Sequence, residues 1–108
     1  MQQTATDWTL EEKKVAEEAF ERAYTREIEA LISEVRTKSG LINEVKDLWK
    51  LHDFLSARRH EIDGKYDYDY SSLLFTFAEL VRDEWLQLDE LRSLSKEKIS
   101  KIVALTKI

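Results

Sequence analysis

The 108-residue chain has no cysteine, no proline and only two glycines. Without cysteine there is no disulfide framework, no thiolate metal site, no iron–sulfur cluster and no thiol nucleophile, which fits a reducing compartment. Without proline, and with glycine only at Gly40 and Gly64, the frequent turns of a β-sheet lack the residues that make them. No apolar run approaches the roughly 18 residues of a membrane span, and residues 1–30 are too charged for a secretory signal. A positive balance is also lacking: 17 Lys and Arg stand against 22 Asp and Glu, a net −5, and both sides of Ile62 are negative. A nucleic-acid binder presents a basic stripe to phosphates, and none is visible. These exclusions leave one all-α domain of modest core, expected in the cytoplasm.

The periodicity that is present is helical. Residues 1–8 read as polar and frayed. Thr9-Leu10-Glu11-Glu12 is a capping box, in which Thr9 accepts from the Glu12 amide and the Glu12 side chain reaches back. Val15, Ala19, Ala23, Ile28, Leu31 and Val35 then recur mostly three to five residues apart, widened by Phe20, Tyr24 and Ile32. The charged residues between Glu11 and Arg22 read as a solvated face with i,i+4 pairs. Nothing interrupts the pattern before Ser39-Gly40, which predicts one helix over 10–38. Such a helix is roughly 43 Å long, whereas a compact domain of this size is about 35 Å across. Its apolar stripe therefore outruns its own domain and needs cover from a second copy. The expectation is a homodimer through the long helices, with Leu31, Val35, Leu41, Val45 and Leu48 at the interface.

A second helix is expected directly after Gly40. Leu41, Val45, Leu48, His52, Leu55, Arg59 and Ile62 alternate at intervals of four and three, a heptad seam with two polar intruders. It should fold back on the first helix, giving a long antiparallel hairpin over 10–62. Asp63–Tyr70 reads as a connector with Gly64 as the stop signal, although tyrosine alternating with aspartate also permits a strand. A small helical head over 70–108 follows. Its first helix is capped by Asp69 or Ser71 and lines up Leu74, Phe77, Ala78, Val81, Trp85 and Leu88. The segment 83–91 is a continuation or a short turn. Ser95 caps a last helix carrying Ile99, Ile102, Val103 and Thr106.

Catalytic and metal chemistry find little support. His52 and His60 are eight residues apart, about 12 Å along a helix, whereas metal ligands on one helix sit three or four apart. His52 and Asp53 point about 100° apart, with no nucleophile and no phosphate loop to accompany them. The second helix carries a different signal. On a helical wheel Trp49 shares an arc with Asp53, Ser56, His60, His52 and Arg59, on the flank of the apolar stripe. Periodicity leaves two readings open: Trp49 covers the hairpin core beside a solvated face, or Trp49 anchors a protein-binding hot spot oriented by its charged neighbours. Phe75 and Phe77 read from periodicity as head core.

The word Trp49-Lys50-Leu51-His52-Asp53-Phe54-Leu55-Ser56-Ala57-Arg58-Arg59-His60-Glu61-Ile62-Asp63-Gly64-Lys65-Tyr66-Asp67 closely resembles the signature of the cyanobacterial fluorescence recovery protein family. Phe20-Glu21-Arg22-Ala23-Tyr24 with Arg26-Glu27, Phe75-Thr76-Phe77-Ala78-Glu79-Leu80 and Ser100-Lys101-Ile102 match it as well, so the likeness spans nearly the whole chain. The sequence departs from the family pattern at Tyr68-Asp69-Tyr70 and over Asp83–Leu91. The resemblance implies a non-enzymatic helical dimer that binds the C-terminal domain of the activated, red orange carotenoid protein. It implies that such binding speeds the partner's return to its orange form and its release from the phycobilisome, ending non-photochemical quenching. It carries no cofactor or small-molecule substrate, since the carotenoid belongs to the partner, and it places the protein at the cytoplasmic face of the thylakoid. Carried over by position, the partner contacts are Trp49, His52, Asp53 and Arg59, with Phe75 and Lys101 in the head. The competing expectation is a dimeric helical adaptor for another cytoplasmic protein, using the same Trp49 patch.

Overall fold

The computed structural model describes residues 8–108, and every regular element among them is helical: α1 (Leu10–Ser39), α2 (Val45–Lys65), α3 (Leu73–Arg82), a 3-10 turn (Leu88–Leu91) and α4 (Lys96–Thr106). α1 starts at the expected capping box, with the Glu12 amide donating to Thr9 Oγ1 at 3.0 Å and the Thr9 amide to Glu12 Oε1 at 3.1 Å. It continues unbroken for 30 residues. The molecule measures 58 × 25 × 25 Å with a radius of gyration of 17.0 Å, against about 13 Å for a compact domain of this length. The elongation follows from α1, which is too long to be enclosed by the rest of the chain.

The core lies at one end. Leu73, Leu74, Phe77, Ala78 and Leu80 of α3, Leu86, Leu91 and Leu94 of the following segment and Ile102 of α4 close on Ala16, Ala19 and Ala23 of α1. Three alanines in a row on α1 leave room for the head to approach the helix backbone closely. Contacts along the rest of α1 run in antiparallel order. The Lys38 ammonium lies 4.7 Å from the Phe54 ring, and Glu27 meets Arg58 and Lys65.

Several expectations need correction. Residues 1–7 lie outside the described residues, but Trp8 is buried, not frayed; it packs against Tyr70 and under the Lys98 ammonium. Glu12 is likewise buried and not part of a solvated face, because it reaches the Ser95 amide and Lys98 Nζ on α4. α2 begins four residues later than expected and leaves Leu41 in the turn: the Asp47 carboxylate accepts the amides of Asn43 and Glu44, both at 3.1 Å, and sets the helix start there. α2 also runs through Gly64, since the Tyr66 amide still reaches Ile62 O and Lys65 and Tyr66 are tied to Glu27. Of the heptad seam, Ile62 turns inward with Leu51, Phe54 and Arg58, while Leu41, Val45, Leu48 and Leu55 stay exposed, which leaves the three positions assigned to the dimer interface open.

In the head, Ser72 precedes α3, and Asp69 organises the turn by accepting from the amide and hydroxyl of Ser71. α3 stops at Arg82, so Trp85 and Leu88 lie beyond it, and its fully buried positions include Leu73 and Leu80. Ser95 caps α4 by accepting the Lys98 amide at 3.2 Å. Tyr66, Tyr68 and Tyr70 of the connector turn toward α1 with Asp67 and Asp69 outward, and Phe20 meets Tyr66 and Tyr68 edge-on. The alternation is strand-like, and the segment serves as a connector.

Candidate binding surface

The side of α2 opposite its contacts with α1 carries the residues singled out from the sequence. Trp49 is 57% exposed, so it covers no core. Its ring meets the His52 ring edge-on at 6.3 Å between centroids, and His52 Nδ1 lies 3.3 Å from Asp53 Oδ1. Arg59, two turns further on, is also exposed but faces Asp63 at 3.6 Å. The structure therefore groups Trp49, His52 and Asp53 tightly and sets Arg59 apart along the same helix. An exposed indole with an imidazole and a carboxylate beside it, and a guanidinium further along the same helix, offers an apolar anchor and oriented charge, the makeup of a protein-binding surface.

Other apolar residues of α1 and α2 are open to solvent in full or in part. Leu48 lies beside Trp49, Leu41 and Val45 are each 68% exposed, and Ile32 of α1 is exposed with Leu31 and Val35 half-buried. Leu31, Val35, Leu41, Val45 and Leu48 are the positions expected to meet a second copy.

A second surface lies in the head. Phe75 is 63% exposed, whereas Phe77 is fully buried, which separates two phenylalanines that periodicity had assigned together to the core. Phe75 lines a cleft of about 310 Å³ with Lys101, Tyr70, Leu74 and Leu105. Residues of α3 and α4 that are distant in sequence thus share one apolar cleft with a cation at its edge.

Sequence reading missed three buried or half-buried carboxylates that fasten the elements together. Glu27 takes donors from Arg58, Lys65 and Tyr66. Burial alone would raise its carboxyl, but the hydrogen bonds from Lys65, Tyr66 and Arg58 outweigh that and hold it below the usual carboxylate range. The Tyr66 phenol is pushed the other way, first by burial and then by the Glu27 carboxylate it donates to. Glu90 accepts Arg26 Nη1 at 2.9 Å and Nη2 at 2.8 Å, and these bonds hold its carboxyl down at about 2. Glu12 is also held low: the Thr9 and Ser95 amides and the Lys98 ammonium overcome its burial. The available signal was position, since Ala16, Ala19, Ala23 and Glu27 form one line at spacings of three and four.

Among the described residues no group of three or more His, Asp or Glu side chains is placed to hold a metal ion. No described helix is long and apolar enough to cross a membrane.

The sequence pattern of the photoprotection regulator fluorescence recovery protein family matches residues 8–106. The chain is 46% identical, over 109 aligned positions spanning all of both sequences, to the fluorescence recovery protein of Synechocystis sp. PCC 6803. Its fold superimposes with a TM-score of 0.92 on the Fremyella diplosiphon fluorescence recovery protein, at 53% identity and covering 94% of this chain and all of that one. The Synechocystis protein's structure gives a TM-score of 0.91 at 46% identity, over 94% of this chain and 99% of that one. With the signature word folded on an exposed helix, the expected helices in order and relatives this similar over their full length, the chain belongs to the fluorescence recovery protein family of photoprotection regulators.

Proposed function

We propose that the protein is a non-enzymatic regulator that binds the activated red form of the orange carotenoid protein through that partner's C-terminal domain. By binding it, the protein hastens the return to the orange form and release from the phycobilisome, so that quenching ends and antenna fluorescence recovers. The observation that carries this reading is the outward-facing Trp49–His52–Asp53 group, with Arg59 on the same helix, in a chain of this family. The head cleft with Phe75 and Lys101 offers a second contact to the same partner. Acceleration without bond chemistry requires tighter binding to a compact or intermediate arrangement of the partner than to its separated one. Two copies joined along their long helices, through Leu31, Val35, Leu41, Val45 and Leu48, would present two such surfaces and could template domain closure. The site of action is the cytoplasmic face of the thylakoid, beside the phycobilisomes.

The direct test follows the red-to-orange absorbance change of photoactivated carotenoid protein in the dark. Stoichiometric protein is expected to accelerate it, and Trp49→Ala to weaken partner binding about tenfold or more with helicity intact. No acceleration by the unsubstituted protein would instead favour the adaptor reading. Co-purification of another partner from cells lacking the carotenoid protein would then establish that reading.

A further inference from the structure

α2 is attached to α1 by little apolar surface. Ile62 is the one residue of α2 that is buried outright, Leu51 and Phe54 are half-buried, and Leu48 and Leu55 on the same helix are exposed. Apolar packing of that extent does not by itself dictate which side of a helix faces inward. α2 nevertheless presents a definite side to α1, and Glu27 is the residue positioned to select it. Glu27 is 1% exposed on α1. Its Oε1 accepts from Tyr66 Oη at 2.7 Å, and its Oε2 from Lys65 Nζ at 3.0 Å and Arg58 Nη2 at 3.1 Å. The donors come from the middle of α2 and from its end, so together they fix both rotation and axial register. A rotation that withdrew them would leave a buried carboxylate unpaired, which is strongly unfavourable.

The consequence reaches the outer surface. At about 100° per residue, Arg58 and Trp49 stand on opposite sides of α2. The neighbouring arginines are split in the same way: Arg58 enters the ion cluster, and Arg59 is directed outward. We infer that Glu27 is a positioning residue, whose ion cluster sets the rotation of α2 on α1 and thereby aims Trp49, His52, Asp53 and Arg59 at a partner. The inference rests on the docking role proposed for that patch.

The absence of cysteine permits clean spin labelling of Ala30→Cys on α1 and Ala57→Cys on α2, both at exposed positions. Diluting the labelled protein with unlabelled chain restricts the signal to intramolecular distances. Glu27→Gln keeps the side-chain size and drops the charge, and Arg58→Leu removes one donor while leaving α1 unchanged. Both variants are expected to broaden or shift the distance distribution, retain helical content and lose about tenfold in affinity for photoactivated orange carotenoid protein. Trp49→Ala should lose affinity with the distribution unchanged, which separates aiming from contact. A wild-type distribution in both variants overturns the inference, and so does a broadened distribution with full affinity. Failure of the unsubstituted protein to bind would overturn the docking reading, while the distances would still decide whether Glu27 sets the rotation.

Discussion

The two ends of the molecule are built on opposite terms. In the head, Leu73, Phe77, Leu80, Leu86, Leu91 and Ile102 are fully buried. Along the arm, no hydrophobic residue between Ala23 and Ile62 is buried, and Ile32, Leu41, Val45, Leu48, Trp49 and Leu55 are exposed. The head is complete within one chain. The arm is two helices that leave much apolar surface open, and exposed apolar surface is what the proposed docking and pairing would cover.

The largest effect that can test this contrast is in the head. Phe77→Ala is expected to cost about 3–5 kcal/mol and lower Tm by about 10 °C or more in a circular-dichroism melt. Leu48→Glu should do nothing comparable to the head. A charge placed among Leu41, Val45 and Leu48 is expected to turn the proposed dimer into helical monomers in sedimentation velocity. A dimeric Leu48→Glu protein would remove this residue from the interface. A Leu48→Glu monomer that had lost its helices would show that the arm, too, depends on internal packing at this position.

Both regions are held by carboxylates that should respond to acid in the same direction. Glu90 ties the segment before α4 to Arg26, and Glu12 ties the start of α1 to α4, while Glu27 holds the arm together. Each carboxyl is held below its ordinary value of 4.5 in the folded state. Stability from such groups is complete above the unfolded value and is lost as pH falls through the folded one. For Glu90 that window runs from 4.5 down to about 2. The hydrogen bond from Arg26 is the largest cause of its depression, so Arg26→Gln should let the Glu90 carboxyl rise and move the acid midpoint of helicity upward. An unchanged midpoint would show that the Glu90 clasp contributes nothing to holding the head on α1.

How much of this was legible follows the same division. α1 was readable from the Thr9–Glu12 box and a stripe that nothing interrupts, because both signals are local. The start and end of α2 were not, because Asp47 acts on amides before the helix and Glu27 acts on its end from another helix. Trp49, His52 and Asp53 could be placed on one arc from spacing alone. Which side of α2 would face α1 could not, because that choice depends on a carboxylate 31 residues from Arg58 and 38 from Lys65. Phe75 and Phe77 mark the limit within a single turn. Spacing puts Phe77 and not Phe75 on the inward line of α3, but only the closure of α4 over α3 shows that the displaced Phe75 lines a cleft.

The smallest expected effect sharpens the contrast from the stabilising side. α3 ends with the Trp85 amide donating to Leu80 O at 2.8 Å and the Glu84 amide to Val81 O at 3.1 Å. This pattern requires a left-handed residue between them, which is usually glycine. Here it is Glu84, at φ 69°. The turn is needed because it delivers Trp85 O to Arg26 Nη1 at 3.0 Å and carries the chain toward the 3-10 turn. An L-residue in that conformation costs about 1–2 kcal/mol, and glycine returns about 0.4–1 kcal/mol of this through its freer unfolded chain. Glu84→Gly should therefore stabilise the head by about 0.5–1 kcal/mol and raise Tm by a few degrees. Because Glu84 is exposed and remote in sequence from the arm, sedimentation should be unchanged. Glu84→Ala keeps the strain and should not stabilise, so an equal gain from alanine and glycine would mean that the Glu84 side chain, and not its backbone, is what the head resists.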